Sequence, residues 1–207
     1  MTLNKLSPSQ RKKGRWLCYL EDGTLLRVGE REVVAFGLHS GMEIGEETLA
    51  ALQEAARQSK TRDTALTLLT GRALSRKELE RKLMERDVPE EEAVSTADWL
   101  AEIGLLNDEE YARQIVRHYS AKGYGACKLQ DELYRRGIPR ELWEDALEQQ
   151  EDAAQLIDAF LAKKLGEDRQ PDPKTIQRVS NALVRKGFSW SEIRDGLHRR
   201  QVEILDD

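Results

Sequence analysis

One phrase recurs three times in this chain at a spacing of fifty residues. It runs Leu79-x3-Leu83-x2-Arg86-Asp87-Val88-Pro89, then Leu129-x3-Leu133-x2-Arg136-Gly137-Ile138-Pro139, then Val179-x3-Leu183-x2-Lys186-Gly187-Phe188-Ser189. An apolar anchor follows nine residues after each Val88, Ile138 or Phe188, at Ala97, Leu147 and Leu197. A fixed period of this size marks an array of similar supersecondary units, each too small to bury its apolar face alone. The i, i+4 spacing of the leading apolar pair is helical. Gly137 and Gly187 stand where a helix ends in a left-handed residue. Ile138 with Trp143, and Phe188 with Ile193, have the spacing of a hydrophobic staple into the next helix. The phrase therefore specifies a joint of helix, tight turn and helix. Asp87 stands in the first joint where the others carry Gly, and Asp tolerates the left-handed conformation less well, so this joint is expected to be looser.

Helices are predicted at about 46–58, 61–71, 75–86, 90–103, 108–122, 126–136, 140–150, 152–165, 173–186 and 190–200. Ser75-x-x-Glu78 and Ser189-x-x-Glu192 fit a capping box, and Asn107-x-x-Glu110 is a weaker version. Gly166 to Pro173 reads as an exposed flexible insertion. Upstream the texture differs. Residues 1–14 are polar and read as a frayed tail; Arg15 to Leu20 and Leu25 to Val28 flank an Asp22-Gly23 step, a strong hairpin signal. Glu30 to Phe36 reads as a short helix, and Met42 to Ile44 as a short strand.

The expected fold is mainly α: tandem three-helix repeats forming an elongated, curved array, with a small N-terminal β-hairpin element. The expected segments are a tail and hairpin at 1–45, a linking helix at 46–60, and three-helix repeats at 61–107, 108–150 and 151–207. The 207 residues accommodate such an array, and 34% charged residues suit long helices with solvated faces.

The net charge of −5 argues against a whole-protein electrostatic grip on nucleic acid. It is spread as +1 over residues 1–60, −3 over 61–107, −2 over 108–150 and −1 over 151–207. Cys18 and Cys127 suggest no disulfide framework and read as small residues in or near the core. No apolar h-region and no membrane-length apolar run is present, so the chain is expected to be cytoplasmic and without membrane contact. His39, His118 and His198 share no metal-ligand spacing, and the glycines around Tyr124 lack a phosphate-loop pattern. No catalytic residue, metal or cofactor is expected, and the chain does not read as an enzyme.

The basic residues are more informative. Arg86, Arg136 and Lys186 recur in the last helical turn of all three joints, while Arg135 with Arg185 and Lys128 with Arg178 recur in two. Residues seven apart share one helix face, so these seven are the candidate partner- or DNA-binding surface. Cations in a final helical turn also complement the helix dipole with no partner. A second candidate element is the run Arg11, Lys12, Lys13 and Arg15 leading into Trp16 and Tyr19, a combination that clasps phosphates and stacks on bases.

Several segments together resemble the RecX family of bacterial regulatory proteins. They are Ser75-Arg-Lys-Glu-Leu79 to Leu83, the bridge Gly104-Leu-Leu-Asn-Asp108-Glu-Glu-Tyr111-Ala112, and Gly123 to Leu133 followed by Gly137-Ile138-Pro139. The N-terminal hairpin and Gly41-Met42-Glu43 look like an extension of some members. The resemblance covers roughly residues 15–200. It implies a non-enzymatic, cytoplasmic, monomeric regulator that binds a RecA-type recombinase filament, with DNA in the filament as a further contact. Such a regulator inhibits or modulates recombination, repair and SOS functions. The alternative is a helix-turn-helix-like DNA-binding protein acting without recombinase, because Leu133 to Trp143 also fits such a joint. The threefold recurrence favours an array over a lone recognition helix.

Overall fold

The computed structural model describes residues 1–11, 13–166 and 171–200. Lys12, in the basic run, and residues 167–170, in the expected insertion, lie outside the described residues. The chain divides into two compact units: residues 1–72 with 79–103, and residues 73–78 with 104–207.

The first unit begins with a strand. The sequence suggested a frayed tail over residues 1–14, but Thr2–Pro8 forms β1, which pairs antiparallel with β2 (Arg15–Leu20). The alternation of Leu3 and Leu6 with polar residues, shifted by an irregularity between Leu3 and Lys5, puts both leucines against the core. Three short apolar strands need one another to cover a face, which a reading of residues 1–14 alone could not supply. The hairpin to β3 (Leu25–Gly29) is as expected: Gly23 has φ 85°, and Asp22 accepts a hydrogen bond from Thr24 N at 2.9 Å. With β4 (Met42–Glu43) the sheet order is β3-β2-β1-β4.

Leu3, Cys18, Leu20, Val28 and Ile44 pack with Leu52 and Ala56 of α2 beneath the sheet. The short helix α1 (Glu30–Ala35) forms where expected. The two helices expected at 46–58 and 61–71 are one helix, α2, spanning Glu46–Gly71. Nothing between Gln58 and Thr61 breaks a helix, and Leu52, Ala56, Thr61 and Ala65 continue one buried face. The helices α3 (Arg76–Met84) and α4 (Glu90–Glu102) follow.

The second unit carries α5 (Asp108–Ser120), α6 (Ala126–Arg135), a 3-10 turn at Arg140–Leu142, α7 (Trp143–Leu147), α8 (Ala153–Leu165), α9 (Pro173–Arg185) and α10 (Trp190–Arg199). Ser189 and Glu192 close a complete capping box, so α10 starts cleanly. Pro139 offers no side-chain cap, and the helix it precedes opens as a 3-10 turn and stops at Leu147. The buried anchor there is consequently Ala146, with the expected Leu147 only half-buried. Asp172 caps α9 through Thr175 N, and Pro171, within the expected exposed insertion, is buried. Ile115, Val116, Leu129, Leu133 and Ile138 form one repeat core, and Ile157, Leu161, Leu183, Phe188 and Ile193 the next.

The three joints share one geometry. Val88, Ile138 and Phe188 donate backbone hydrogen bonds to Leu83, Leu133 and Leu183 at 3.3, 3.0 and 3.2 Å. Asp87, Gly137 and Gly187 donate to Met84, Tyr134 and Val184 at 3.0, 2.9 and 2.9 Å. These bonds satisfy carbonyls that every helix end leaves open. All three turn residues are left-handed, at φ 61°, 69° and 91°, and Asp87 is the one non-glycine residue with positive φ among the described residues. The first joint therefore keeps the geometry of the others.

The later joints are also docked. Gly125 N donates to Lys186 O at 2.9 Å, and Cys127 N to Gly187 O at 3.1 Å. Fifty residues earlier, the Ser75 hydroxyl donates to Arg136 O. In each case the open N-terminus of one repeat's second helix meets the open C-terminal carbonyls of the next repeat's joint. A Cβ on Gly137 would lie 2.6 Å from Lys77 Cδ, and one on Gly187 would strike the Lys128 backbone. Asp87 is exposed, so its side chain meets no such obstacle.

Asp87→Gly is expected to relieve about 1 kcal/mol of left-handed strain, partly offset by the freer unfolded chain. The net is a rise in Tm of about 1–2 °C. Gly187→Asp adds the same strain plus a backbone collision and is expected to lower Tm by about 5 °C or more. Thermal melts of both variants measure the asymmetry.

Candidate functional site

The recurring cations of the joints divide into two kinds. Arg136 and Lys186 cap their helices and turn inward. Lys186 Nζ donates to Gly123 O at 3.0 Å and Lys122 O at 3.2 Å, closing the end of α5, and stands 4.7 Å from the Tyr124 ring centre. Arg136 lies 5.7 Å from the Tyr111 ring centre and donates to its hydroxyl, which in turn reaches Glu78 Oε2 at 3.4 Å. Burial opposes the Arg136 charge, but Tyr119, Tyr111 and Glu78 outweigh it and raise its pKa. These two cations hold the repeats together.

Arg135 and Arg185, one residue earlier, are exposed. Arg135 touches Glu132 Oε1 at 3.4 Å with its side chain 69% exposed. Lys128 shares that carboxylate at 3.3 Å. Burial works against the charge of Glu132, but hydrogen bonds from Lys128 and Tyr119 and the nearby cations hold its carboxyl below the ordinary value. Its folded pKa is depressed, so its contribution to stability is present at neutral pH and is lost as pH falls through the carboxylate range.

Ala182 occupies the Glu132 position fifty residues on, so α9 has no such neutraliser. From Pro173 to Arg185 it carries Lys174, Arg178 and Arg185 and no Asp or Glu. Arg178 and Arg185 are exposed and make no ion pair among the described residues. Arg86 is exposed, donates to Lys82 O at 2.7 Å, and lines an open cleft with Arg15 and Lys60.

A feature absent from the sequence reading stands beside these cations. Met84, Tyr134 and Val184 occupy equivalent positions, each following a buried leucine, and are 41%, 71% and 47% exposed. Folding does not require an apolar residue there. The signal was present in the fifty-residue period, but an apolar residue beside a core leucine reads as core until burial is known.

The N-terminal run is split by the sheet. Trp16 packs into the core, whereas Tyr19 is 37% exposed on the other face. Cys18 is buried, which pushes its thiol up to about 11; Cys127, expected in or near the core, is exposed. No cluster of three His, Cys, Asp or Glu suited to a metal ion occurs among the described residues. No helix among them is long and apolar enough to cross a membrane.

Docked three-helix repeats with exposed cations and apolar residues at repeated positions define a helical-repeat protein. The chain matches the first, second and third three-helix domains of RecX over residues 62–100, 107–147 and 150–197. It is 28% identical to regulatory protein RecX of Streptococcus sanguinis (strain SK36) over 202 residues, 96% of this chain and 78% of that protein. Regulatory protein RecX of Limosilactobacillus reuteri (strain DSM 20016) is 33% identical over 192 residues, 88% of this chain and 71% of that one. A crystal structure of regulatory protein RecX superposes with a TM-score of 0.72 at 29% identity, covering 94% of this chain and 98% of the other. A RecX structure from Lactobacillus salivarius gives 0.63 at 25% identity, over 69% and 96%. The chain belongs to the RecX family of regulatory proteins.

Lys186→Ala removes two charge-assisted bonds to carbonyls and is expected to cost about 1–2 kcal/mol. Arg185→Ala is expected to leave Tm within about 2 °C of the parent. Paired thermal melts separate the inward from the outward cation.

Proposed function

We propose that this chain regulates a RecA-type recombinase without catalysis of its own, by binding the recombinase filament through the outward faces of its repeats. The observation that carries the reading is α9. It presents Arg178, Val184 and Arg185 to solvent on a helix without a carboxylate, in a chain of net charge −5. Such a local surface suits a partner with acidic groups and apolar pockets. Tyr134 and Arg135 repeat the pairing one unit earlier. Lys128 belongs to the same surface, whereas Arg136 and Lys186 act mainly through the docking they maintain. The reading places the protein in the cytoplasm, as a monomer, acting in recombination, repair and the SOS response.

The helix-turn-helix reading has less support. The helix after the second joint, α7, is five residues long, too short to lie along a major groove as a recognition helix.

The purified chain is expected to inhibit recombinase ATPase and strand exchange at substoichiometric amounts. The triple variant Arg135→Glu, Arg178→Glu, Arg185→Glu is expected to lose most of that effect while keeping its helical circular dichroism. Unchanged ATPase and strand exchange at several-fold excess of the parent protein defeat the proposal.

A further inference from the structure

We infer that the first unit carries a binding site for the phosphodiester backbone of single-stranded nucleic acid, centred on Arg15, Lys60 and Arg86. These residues come from β2, α2 and the first joint and line one open cleft with Asp63 and Thr64. Three cations face one carboxylate there, in a chain whose net charge is −5.

Folding explains only part of this arrangement. Arg15 is held by an ion pair with Asp63 and is nearly buried. Lys60 is exposed and makes no ion pair among the described residues. Arg86 spends one guanidinium nitrogen on Lys82 O, the last turn of its own helix, leaving further donors of its planar fork available. The counterparts of Arg86 show what differs. Arg136 is folded onto Tyr111, and Lys186 closes α5. The first joint lacks a corresponding commitment, and its cation stands in the cleft beside those of the N-terminal segment. A fixed guanidinium flanked by two less committed cations is suited to phosphate oxygens.

The sheet indicates that the polyanion is a nucleic acid. Register pairs set Tyr19 beside Leu25 and Lys5, and Leu17 beside Arg27 and Ser7, on the face opposite Cys18 and Val28. Tyr19 is 37% exposed, with Lys5 Nζ 5.8 Å from its ring centre. Arg15 and Tyr19 are four residues apart on one strand, about 13 Å. Glu43 lies on β4 and pairs with Thr2 at the opposite edge from Arg27, and Glu21, two residues beyond Tyr19, lies 3.8 Å from the N-terminal ammonium of Met1. An exposed aromatic ring beside a cation is a stacking position for an unpaired base.

The test needs no recombinase, so its failure is distinct from failure of the filament reading. A fluorescently labelled oligothymidylate is titrated with the full chain and followed by anisotropy over a range of salt. Lys60→Glu with Arg86→Glu is expected to weaken binding about ten-fold or more and to flatten the plot of log K against log salt by about 1.4. Arg135→Glu with Arg185→Glu, which changes net charge equally, is expected to retain at least most of the affinity. Tyr19→Ala is expected to weaken binding with the salt slope unchanged. Circular dichroism confirms folding of each variant. The assignment is overturned if the parent chain fails to bind, if Lys60→Glu with Arg86→Glu binds as the parent does, or if both doubles lose affinity alike. Equal binding of a duplex, or binding of inorganic phosphate with no binding of the oligonucleotide, also overturns it.

Discussion

The second unit depends on a meeting of unsatisfied backbone groups. A helix leaves N–H groups open at its start and carbonyls open at its end. The left-handed turn of each joint satisfies some of those carbonyls locally. The carbonyls of residues 136, 186 and 187 are satisfied by the next surface they touch, the N-terminus of a preceding repeat's second helix. The period of fifty is preserved across that contact: Ser75 and Gly125 are equivalent, as are Arg136 and Lys186. Because buried polar groups are costly when unpaired, the contact fixes register between repeats, which apolar packing alone does weakly.

This docking also explains the variation among the copies. Gly137 and Gly187 are needed for their left-handed backbone and because a neighbouring helix presses on the space a Cβ would occupy. Asp87 has only the first constraint, and an exposed Asp accepts it at modest cost. The sequence suggested that Asp87 loosens the first joint; the hydrogen bonds show the same turn as in the other two.

The same constraint sorts the cations. In helix ends, a basic residue is favoured by the dipole whether or not a partner exists, so recurrence alone could not separate architecture from surface. Arg136 and Lys186 are consumed by carbonyls and aromatic rings of their own fold. Arg135, Arg178 and Arg185 are exposed, as are Tyr134 and Val184. The absence of an acidic residue on α9, against Asp131 and Glu132 on α6, makes α9 the more basic of the two helices.

Much of this was legible in the residues. The fifty-residue period, the joint, the capping boxes at Ser75 and Ser189 and the hairpin at Asp22-Gly23 are local, and short-range sterics and hydrogen bonding decide them. The strand at Thr2–Pro8 was not legible, because it exists only through pairing with β2 and β4. Nor was the unbroken α2, whose continuity follows from a buried face formed with other segments. The exposure of Met84, Tyr134 and Val184, the inward turn of Lys186, and the meeting of Arg15, Lys60 and Arg86 were equally hidden. Sequence by itself determined the repeated unit and its joints, since these rest on interactions within a few residues. Tertiary structure alone decided which cations serve the fold and which face solvent, because that depends on residues some sixty positions away, such as Lys122 and Gly123 for Lys186.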